Sequence, residues 1–192
     1  MVEKAFIKAQ DLLDDSFRLA RKVFEHGFRP NYIVGIWRGG TPVGIAVQEA
    51  LDHFEIPTDH ISIRTSSYDG IGEQRDEVRV HGLNYIVDNV NAEDSLLIVD
   101  DVFDTGRSIQ AVIDKLHKDS RRNTPETIRI ATVYYKPSKR KVICVPDYYI
   151  HETEEWLVFP HELKGLTEQE IMAHKPVAAL ARVNFERARK PT

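Results

Sequence analysis

Short apolar runs alternate along the chain with stretches whose apolar residues recur at helical spacing. The runs cover residues 32–36, 61–65, 96–99, 128–135 and 145–150. Each run predicts a buried strand. Strands that alternate with helices form a mainly parallel twisted sheet flanked by helices. We therefore predict an α/β fold whose ligands bind beyond the carboxyl ends of the strands.

Three helices are predicted between or after these strands, each from one apolar face and its end signals. The residues that predict the first helix and its end are Leu13, Phe17, Ala20, Phe24, Gly27 and Pro30. Those of the second are the expected cap Thr41, the first-turn Pro42 and the core positions Val43, Val47 and Leu51. Those of the third are Ile109, Val112, Ile113 and Leu116.

The remaining segments are less regular. Residues 66–82 are polar and rich in glycine, and they are long for a loop in a compact domain, so we expect a mobile functional loop. Its part 77–80 would form a strand when ordered. Residues 156–159 predict a short strand or a loop. Residues 167–189 predict helix, interrupted at Pro176.

Bulk properties limit the classes of function. The chain has 192 residues and a net charge of −4, which suits one domain and argues against a nucleic-acid partner. Its one cysteine, Cys144, excludes an intrachain disulfide. No run approaches the roughly 20 apolar residues of a membrane span, and no apolar leader opens the chain. We therefore expect a cytoplasmic protein that does not bind membranes.

The segment after the third apolar run carries most of the chemistry. Asp100 and Asp101 lie at the carboxyl end of that strand, and Asp104 precedes a small turn, 105–108, that opens the third helix. Backbone amides at a helix N-terminus bind phosphate, and carboxylates accept hydrogen bonds from sugar hydroxyls. This combination indicates a phosphorylated sugar as ligand.

Other interpretations of these motifs are weaker. The three aspartates match the spacing of the magnesium site in prenyl diphosphate synthases, but those enzymes are all-helical, and here a strand leads in. Residues 35–41 lack the lysine of a P-loop, and no Gly-x-Gly-x-x-Gly follows a strand, which disfavours a dinucleotide site. Aspartates also cap helices, but one would suffice for that purpose.

Residues 99–108 resemble the phosphoribosyl pyrophosphate (PRPP) motif of the type I phosphoribosyltransferases. The shared features are an apolar strand, two acids, two apolar residues, Asp-Thr-Gly, and a hydroxyl residue two positions on. The likeness runs from about residue 32 to residue 162. It is greatest to the 6-oxopurine branch, which salvages hypoxanthine, guanine or xanthine.

The resemblance implies a domain organisation. A phosphoribosyltransferase domain would span 1–165, with a flexible lid at 66–82 and a small base-binding hood at about 145–165. Residues 166–192 would form a helical C-terminal extension. That extension would cover the base site, build a subunit interface, or simply face solvent.

The resemblance also implies how the donor is held. Asp100 and Asp101 would accept hydrogen bonds from the ribose hydroxyls, directly or through Mg²⁺. Asp104 would act as general base or proton holder near the purine N7. The 5-phosphate would lie in a cradle formed by Thr105, Gly106, Arg107 and Ser108. Pyrophosphate would bind at a short loop, often with a strained or cis peptide, formed here by Trp37, Arg38 and Gly39.

For the acceptor base, the resemblance implies a second group of residues. Lys136 would donate to the 6-oxo group, Trp156 would stack on the base, and Leu157 would offer backbone groups to its edge. Glu162 would lie near Mg²⁺ and pyrophosphate. Ser67 and Tyr68 match the serine–tyrosine pair of the lid that excludes water.

The function implied is Mg²⁺-dependent transfer of the 5-phosphoribosyl group from PRPP to a 6-oxopurine in purine salvage, with release of pyrophosphate. Arg38 would stabilise the leaving pyrophosphate and act with Asp104 in catalysis. Relatives are usually homodimers or homotetramers, so self-association is expected. Two alternatives stay open: transfer to another base, and a PRPP-binding regulatory protein without turnover.

Overall fold

A computed structural model describes residues 4–68 and 77–175 of the chain. Its strands are β1 (Lys4–Phe6), β2 (Tyr32–Trp37), β3 (Asp59–Tyr68), β4 (Glu77–His81), β5 (Ser95–Phe103), β6 (Thr127–Tyr135), β7 (Tyr148–Glu152) and β8 (Trp156–Val158). Its α-helices are α1 (Ala9–Glu25), α2 (Gly40–His53), α3 (Asn84–Asn89), α4 (Arg107–Ser120) and α5 (Glu168–His174). Among these elements, no helix is long and apolar enough to cross a membrane.

Six strands form one sheet in the order β4-β3-β2-β5-β6-β7. Every neighbouring pair is parallel except β3 and β4, which form an antiparallel edge. The carboxyl ends of β2, β5 and β6 therefore lie side by side at one edge of the sheet. The predicted mainly parallel α/β fold is confirmed.

Helices cover both faces of this sheet, because its central strands are apolar on both sides. Leu97 packs with Leu19 of α1 and Val47 of α2 in one buried cluster. The next residue, Ile98, points to the other face and packs in a second cluster with residues of α3 and α4. This double burial holds the ends of β2, β5 and β6 at fixed positions, so side chains that follow them are well placed to form a site.

The first helix is confirmed, but only Ala20 and Phe24 of its predicted buried face pack in the core. Leu13 and Phe17 are about two-fifths exposed, whereas Leu12, Leu19 and Val23 are buried. The buried face also contains two polar residues whose groups are satisfied. Ser16 donates to the Leu12 carbonyl at 2.6 Å, and Asp15 contacts Arg18 at 3.0 Å and His151 at 2.7 Å. A pattern of apolar residues alone does not reveal such satisfied polar positions.

Several predicted element ends shift in the structure. Helix α2 begins at Gly40 rather than behind a Thr41 cap, and the Thr41 hydroxyl donates instead to Ser62 at 3.2 Å. Strand β7 begins at Tyr148 rather than residue 145, since Pro146 lacks the amide a ladder needs. Strand β3 runs through Tyr68, so the first residues of the predicted lid belong to a strand. The predicted strand within the lid is confirmed as β4, and residues 69–76 lie outside the described residues.

A separate two-stranded parallel sheet joins β1 to β8, with Ala5 opposite Leu157. The predicted short strand at residues 156–159 is thus confirmed, while β1, with three residues, has no sequence pattern to predict it. Helix α5 follows, and it is the described part of the predicted helical tail. Residues 176–192, the rest of the predicted helical extension, lie outside the described residues.

Candidate active site

A cleft of about 480 Å³ opens at the carboxyl ends of β2, β5 and β6, below the small β1–β8 sheet. It gathers most of the residues singled out in the sequence. Those that line it are Trp37, Arg38, Gly39, Asp100, Asp101, Asp104, Ser108, Lys136, Trp156, Leu157 and Glu162. Thr105, Gly106 and Arg107 form the turn between Asp104 and Ser108. The side chains of Ser67 and Tyr68 lie outside the described residues.

Two adjacent carboxylates form the acidic wall of the cleft. Asp100 accepts a hydrogen bond from the Asp101 amide at 3.0 Å and another from the Gly40 amide, and Asp101 accepts one from the Val102 amide at 2.8 Å. Desolvation raises the pKa of Asp100 well above its ordinary value, and the neighbouring charge of Asp101 raises it further. Desolvation also raises the pKa of Asp101, to about 6. This pair is therefore poised to bind a cation or hydroxyl donors.

The loop after β2 packs directly on this acidic pair. A side chain at Gly39 would overlap the Asp101 carboxylate, and a Cβ at Gly40 would lie 2.5 Å from the Val99 carbonyl oxygen. Only residues without a side chain fit there, which explains the Gly-Gly sequence. The Trp37–Arg38 peptide bond in this loop is cis. The loop thus brings the backbone of Gly39 and Gly40 against the acidic end of β5.

The turn between β5 and α4 places the start of a 14-residue helix beside the cleft, and the Arg107 amide donates to the Thr105 hydroxyl at 3.4 Å. Gly106 has a φ of 76°, and a Cβ there would collide with Phe103 and Val142. As the N-cap of α4, it has no side chain to accept hydrogen bonds from the first amides of the helix. Those amides and the hydroxyl of Ser108, which faces the cleft, are suited to an anion.

Lys136 and Asp104 face each other across the next part of the cleft. The Lys136 ammonium lies 3.6 Å from an Asp104 carboxylate oxygen, and only 5% of the residue is exposed. The Lys136 amide donates to the Phe103 carbonyl at 2.9 Å, which fixes its position relative to β5. A buried cation and a more exposed carboxylate can hold and donate protons on the same edge of a ligand.

The small sheet and the turn after it form the opposite wall. Trp156 is 55% exposed and lines the cleft, whereas Leu157 is buried beneath it. The Glu162 carboxylate accepts a hydrogen bond from the Phe159 amide at 3.0 Å. This wall offers a large aromatic surface, which suits a planar ligand.

His161 is a member of the site that the sequence reasoning missed. Its Nε2 lies 3.7 Å from the Asp101 carboxylate, and its ring stacks on Phe159 with centroids 5.8 Å apart. Burial lowers the pKa of His161, Glu162 opposes this shift, and the charges of Arg38 and Lys175 lower the pKa further. The only signal in the sequence is its position beside Glu162, because no periodicity or motif marks it.

Comparison with known proteins identifies the family. The model of the phosphoribosyl transferase domain matches residues 4–165. The chain belongs to this family. The matched range includes the main sheet and the separate β1–β8 sheet, here called the hood, and it ends just before α5.

Named relatives of this phosphoribosyl transferase domain agree with the sequence resemblance. The hypoxanthine-guanine phosphoribosyltransferase of Lactococcus lactis is 27% identical over 148 residues, 77% of this chain and 75% of that protein. A purine phosphoribosyltransferase structure from Pyrococcus horikoshii covers 85% of this chain and 97% of its own, with 29% identity and a TM-score of 0.65. The bifunctional protein PyrR of a Roseiflexus strain is 30% identical over 138 residues, 69% of this chain and 72% of that protein. The resemblance to the 6-oxopurine branch of the type I phosphoribosyltransferases is confirmed.

The acidic wall of this phosphoribosyl transferase domain fits a magnesium ion that is shared with a substrate. Mg²⁺ commonly takes one or two carboxylates and completes its coordination with water and phosphate oxygens. Asp100 and Asp101 supply such a pair, and their raised pKa values show that a nearby cation would stabilise them. Within residues 4–68 and 77–175, no group of three or more metal-ligating side chains forms a complete cage. The predicted metal contact of Glu162 stays a prediction.

Proposed function

We propose that this protein transfers the 5-phosphoribosyl group from PRPP to a 6-oxopurine, giving the nucleoside monophosphate and pyrophosphate. The observation that carries the proposal is that the acidic wall, the turn at 105–108 and the Lys136–Asp104 pair meet at one cleft. In the reaction, the bond from ribose C1 to the pyrophosphate oxygen breaks. A bond from C1 to a purine nitrogen forms, and the purine loses a proton.

The donor would bind along β5 and the loop after β2. Asp100 and Asp101 accept hydrogen bonds from the ribose hydroxyls, and the amides that open α4 take the 5-phosphate. Arg38 stabilises the charge that builds up on the leaving pyrophosphate. Mg²⁺, when bound, would neutralise part of the negative charge of the acidic wall and of the pyrophosphate.

The acceptor would bind between the hood and β6. Lys136 donates to the 6-oxo group, a contact that an amino group at the same position would not accept. Asp104 takes or holds the proton at N7, and the 3.6 Å separation from Lys136 lets both residues reach one edge of the purine. Trp156 stacks on the ring, and Leu157 offers backbone groups.

The relatives support this substrate class. The Lactococcus protein is named for hypoxanthine and guanine, and the Pyrococcus structure for a purine. The PyrR relative, at 30% identity, keeps the alternatives relevant: transfer to another base, and a PRPP-binding regulatory role without turnover. Lys136 argues against adenine and the chain's net charge of −4 against a nucleic-acid partner. The proposed assembly is a homodimer or homotetramer.

One assay tests the proposal against both alternatives. Purified protein is mixed with PRPP, Mg²⁺ and, separately, hypoxanthine, guanine, xanthine, adenine, uracil or orotate, and nucleotide formation is followed by chromatography. Product from one or more of the first three bases, and not from the others, is expected. Product only from the other three would give a different substrate class. PRPP binding in calorimetry with no product from any base would favour the regulatory role.

A further inference from the structure

The hood is a small sheet of two three-residue strands, β1 and β8, and within the described residues it shares no strand pairing with the main sheet. Two strands alone are marginally stable in water. The position of Trp156 and Leu157 over the cleft therefore depends on whatever else holds these two strands in place.

Helix α5 holds β1 through two contacts. The Lys4 ammonium lies 2.8 Å and 3.1 Å from the two Glu170 carboxylate oxygens. The Phe6 ring stacks on His174 with centroids 3.8 Å apart and an interplanar angle of 11°. Glu170 also accepts a hydrogen bond from the Thr167 amide at 2.7 Å in a capping box, so the start of α5 and its contact with β1 are coupled.

Lys175, which follows α5, holds the end of β8. It is 8% exposed, and its ammonium donates to the Phe159 carbonyl at 2.6 Å and lies 6.0 Å from the Phe6 ring centroid. The same carbonyl accepts the Glu162 amide at 3.0 Å. Burial lowers the pKa of Lys175, and the nearby Glu162 charge opposes this shift. Lys175 thus contacts both sides of the hood from one buried position.

We propose that α5 and Lys175 form a strap that positions the hood for base binding, with Lys175 as a positioning residue. The inference rests on the proposed function, which makes Trp156 and Leu157 the base-binding wall. The strap lies beyond residues 4–165, the part of the chain that the family model matches. Its direct contacts reach β1 through Lys4 and Phe6 and β8 through Phe159. Its influence on the acidic wall is indirect, through the charge of Lys175 on His161.

Kinetics of Lys175→Met test the strap, because methionine keeps the apolar stem and removes the ammonium. We expect the KM for the base to rise roughly tenfold, as for loss of one charged hydrogen bond, with the KM for PRPP little changed. Lys118→Met, an exposed lysine of α4, is the charge-matched control and should leave both constants unchanged. If Lys175→Met fails to fold, the double variant Glu170→Gln/His174→Ala replaces it, and a smaller rise in the same constant is expected.

A second readout needs no activity. Trp37→Phe leaves Trp156 as the only tryptophan, and acrylamide quenching of its fluorescence reports the accessibility of the hood. Adding Lys175→Met should raise the quenching constant, and adding Lys118→Met should not. Unchanged quenching, or equal rises in both KM values, would overturn the strap. If the natural protein gives no nucleotide at all, the proposed function fails, and quenching alone still decides whether Lys175 positions the hood.

Discussion

Asp104 and Lys136 show how strand register brings two charged side chains together. Phe103 and Tyr135 are paired across β5 and β6, and the two charged residues are the next residue on each strand. Their side chains consequently meet at 3.6 Å although 32 positions separate them in sequence. The carboxylate accepts hydrogen bonds and the ammonium group donates them, so a ligand with a donor and an acceptor on one edge would fit between them.

Asp104→Asn should slow turnover without a matching loss of donor affinity. The asparagine side chain keeps the shape of aspartate but cannot take a proton from the purine, so kcat is expected to fall about a hundredfold or more. PRPP affinity, measured by calorimetry, should change much less. Asp114→Asn, an exposed residue of α4, is the control. Equal loss of turnover and affinity would make Asp104 a structural residue.

Lys136→Met should weaken selection of the oxo group. The variant loses the donor to the 6-oxo position, so kcat/KM for hypoxanthine should fall by roughly tenfold to a hundredfold, with the KM for PRPP little changed. Steady-state kinetics with each substrate varied in turn measures both constants. A KM for PRPP that rises as much as that for the base would contradict a base-specific role.

At the scale of elements, β5 and α4 could be predicted because apolar periodicity and adjacent acids occur within one continuous segment. The buried face of α1 could not be predicted fully, because polar residues with satisfied hydrogen bonds, such as Ser16, occupy buried positions. Strand β1 could not either, because three residues carry no period. The cleft followed from the topology rule for parallel sheets, whereas His161 and the Lys136–Asp104 distance depend on register and loop packing that sequence does not report.

The turn between β5 and α4 gives a test at this scale. Gly106→Ala forces an unfavourable φ and also a collision with Phe103 and Val142, whereas Gly82→Ala has a φ of 83° with no atom within 4 Å. The Gly82 variant should lose about 1–2 kcal/mol in the free energy of unfolding. The Gly106 variant should lose roughly 1–3 kcal/mol more. Urea denaturation of both variants measures the difference, and equal losses would show that the turn relaxes freely.

At the scale of the whole molecule, segments distant in sequence close the cleft together. Lys4 and Glu170 are 166 positions apart and joined by two hydrogen bonds. The β1–β8 sheet and α5 therefore couple the start of the described chain to its end. A substitution in β1 or in α5 should therefore alter the position of the hood rather than that of the acidic wall.

The Lys4–Glu170 contact should give stability a defined dependence on pH. The hydrogen bond from Lys4, followed by that from the Thr167 amide, lowers the pKa of Glu170 to about 2 from an ordinary 4.5. Because the folded pKa is depressed, this stabilisation is fully present above pH 4.5 and is lost as the pH falls towards 2. The stability difference between the natural protein and Glu170→Gln, from thermal melting, should therefore shrink across that range. A difference that does not change with pH would contradict the contact.

The packing of Gly39 on Asp101 also has a consequence for how this chain tolerates variation. In a library with every amino acid at each glycine, position 82 should accept asparagine, which enters the left-handed region more readily than most residues. Positions 39 and 40 should accept nothing else, since their constraint is lack of room rather than backbone angle. Selection for activity would thus keep glycine at positions 39 and 40. A larger residue there would be tolerated only if residues 99–101 on the neighbouring strand changed to make room for it.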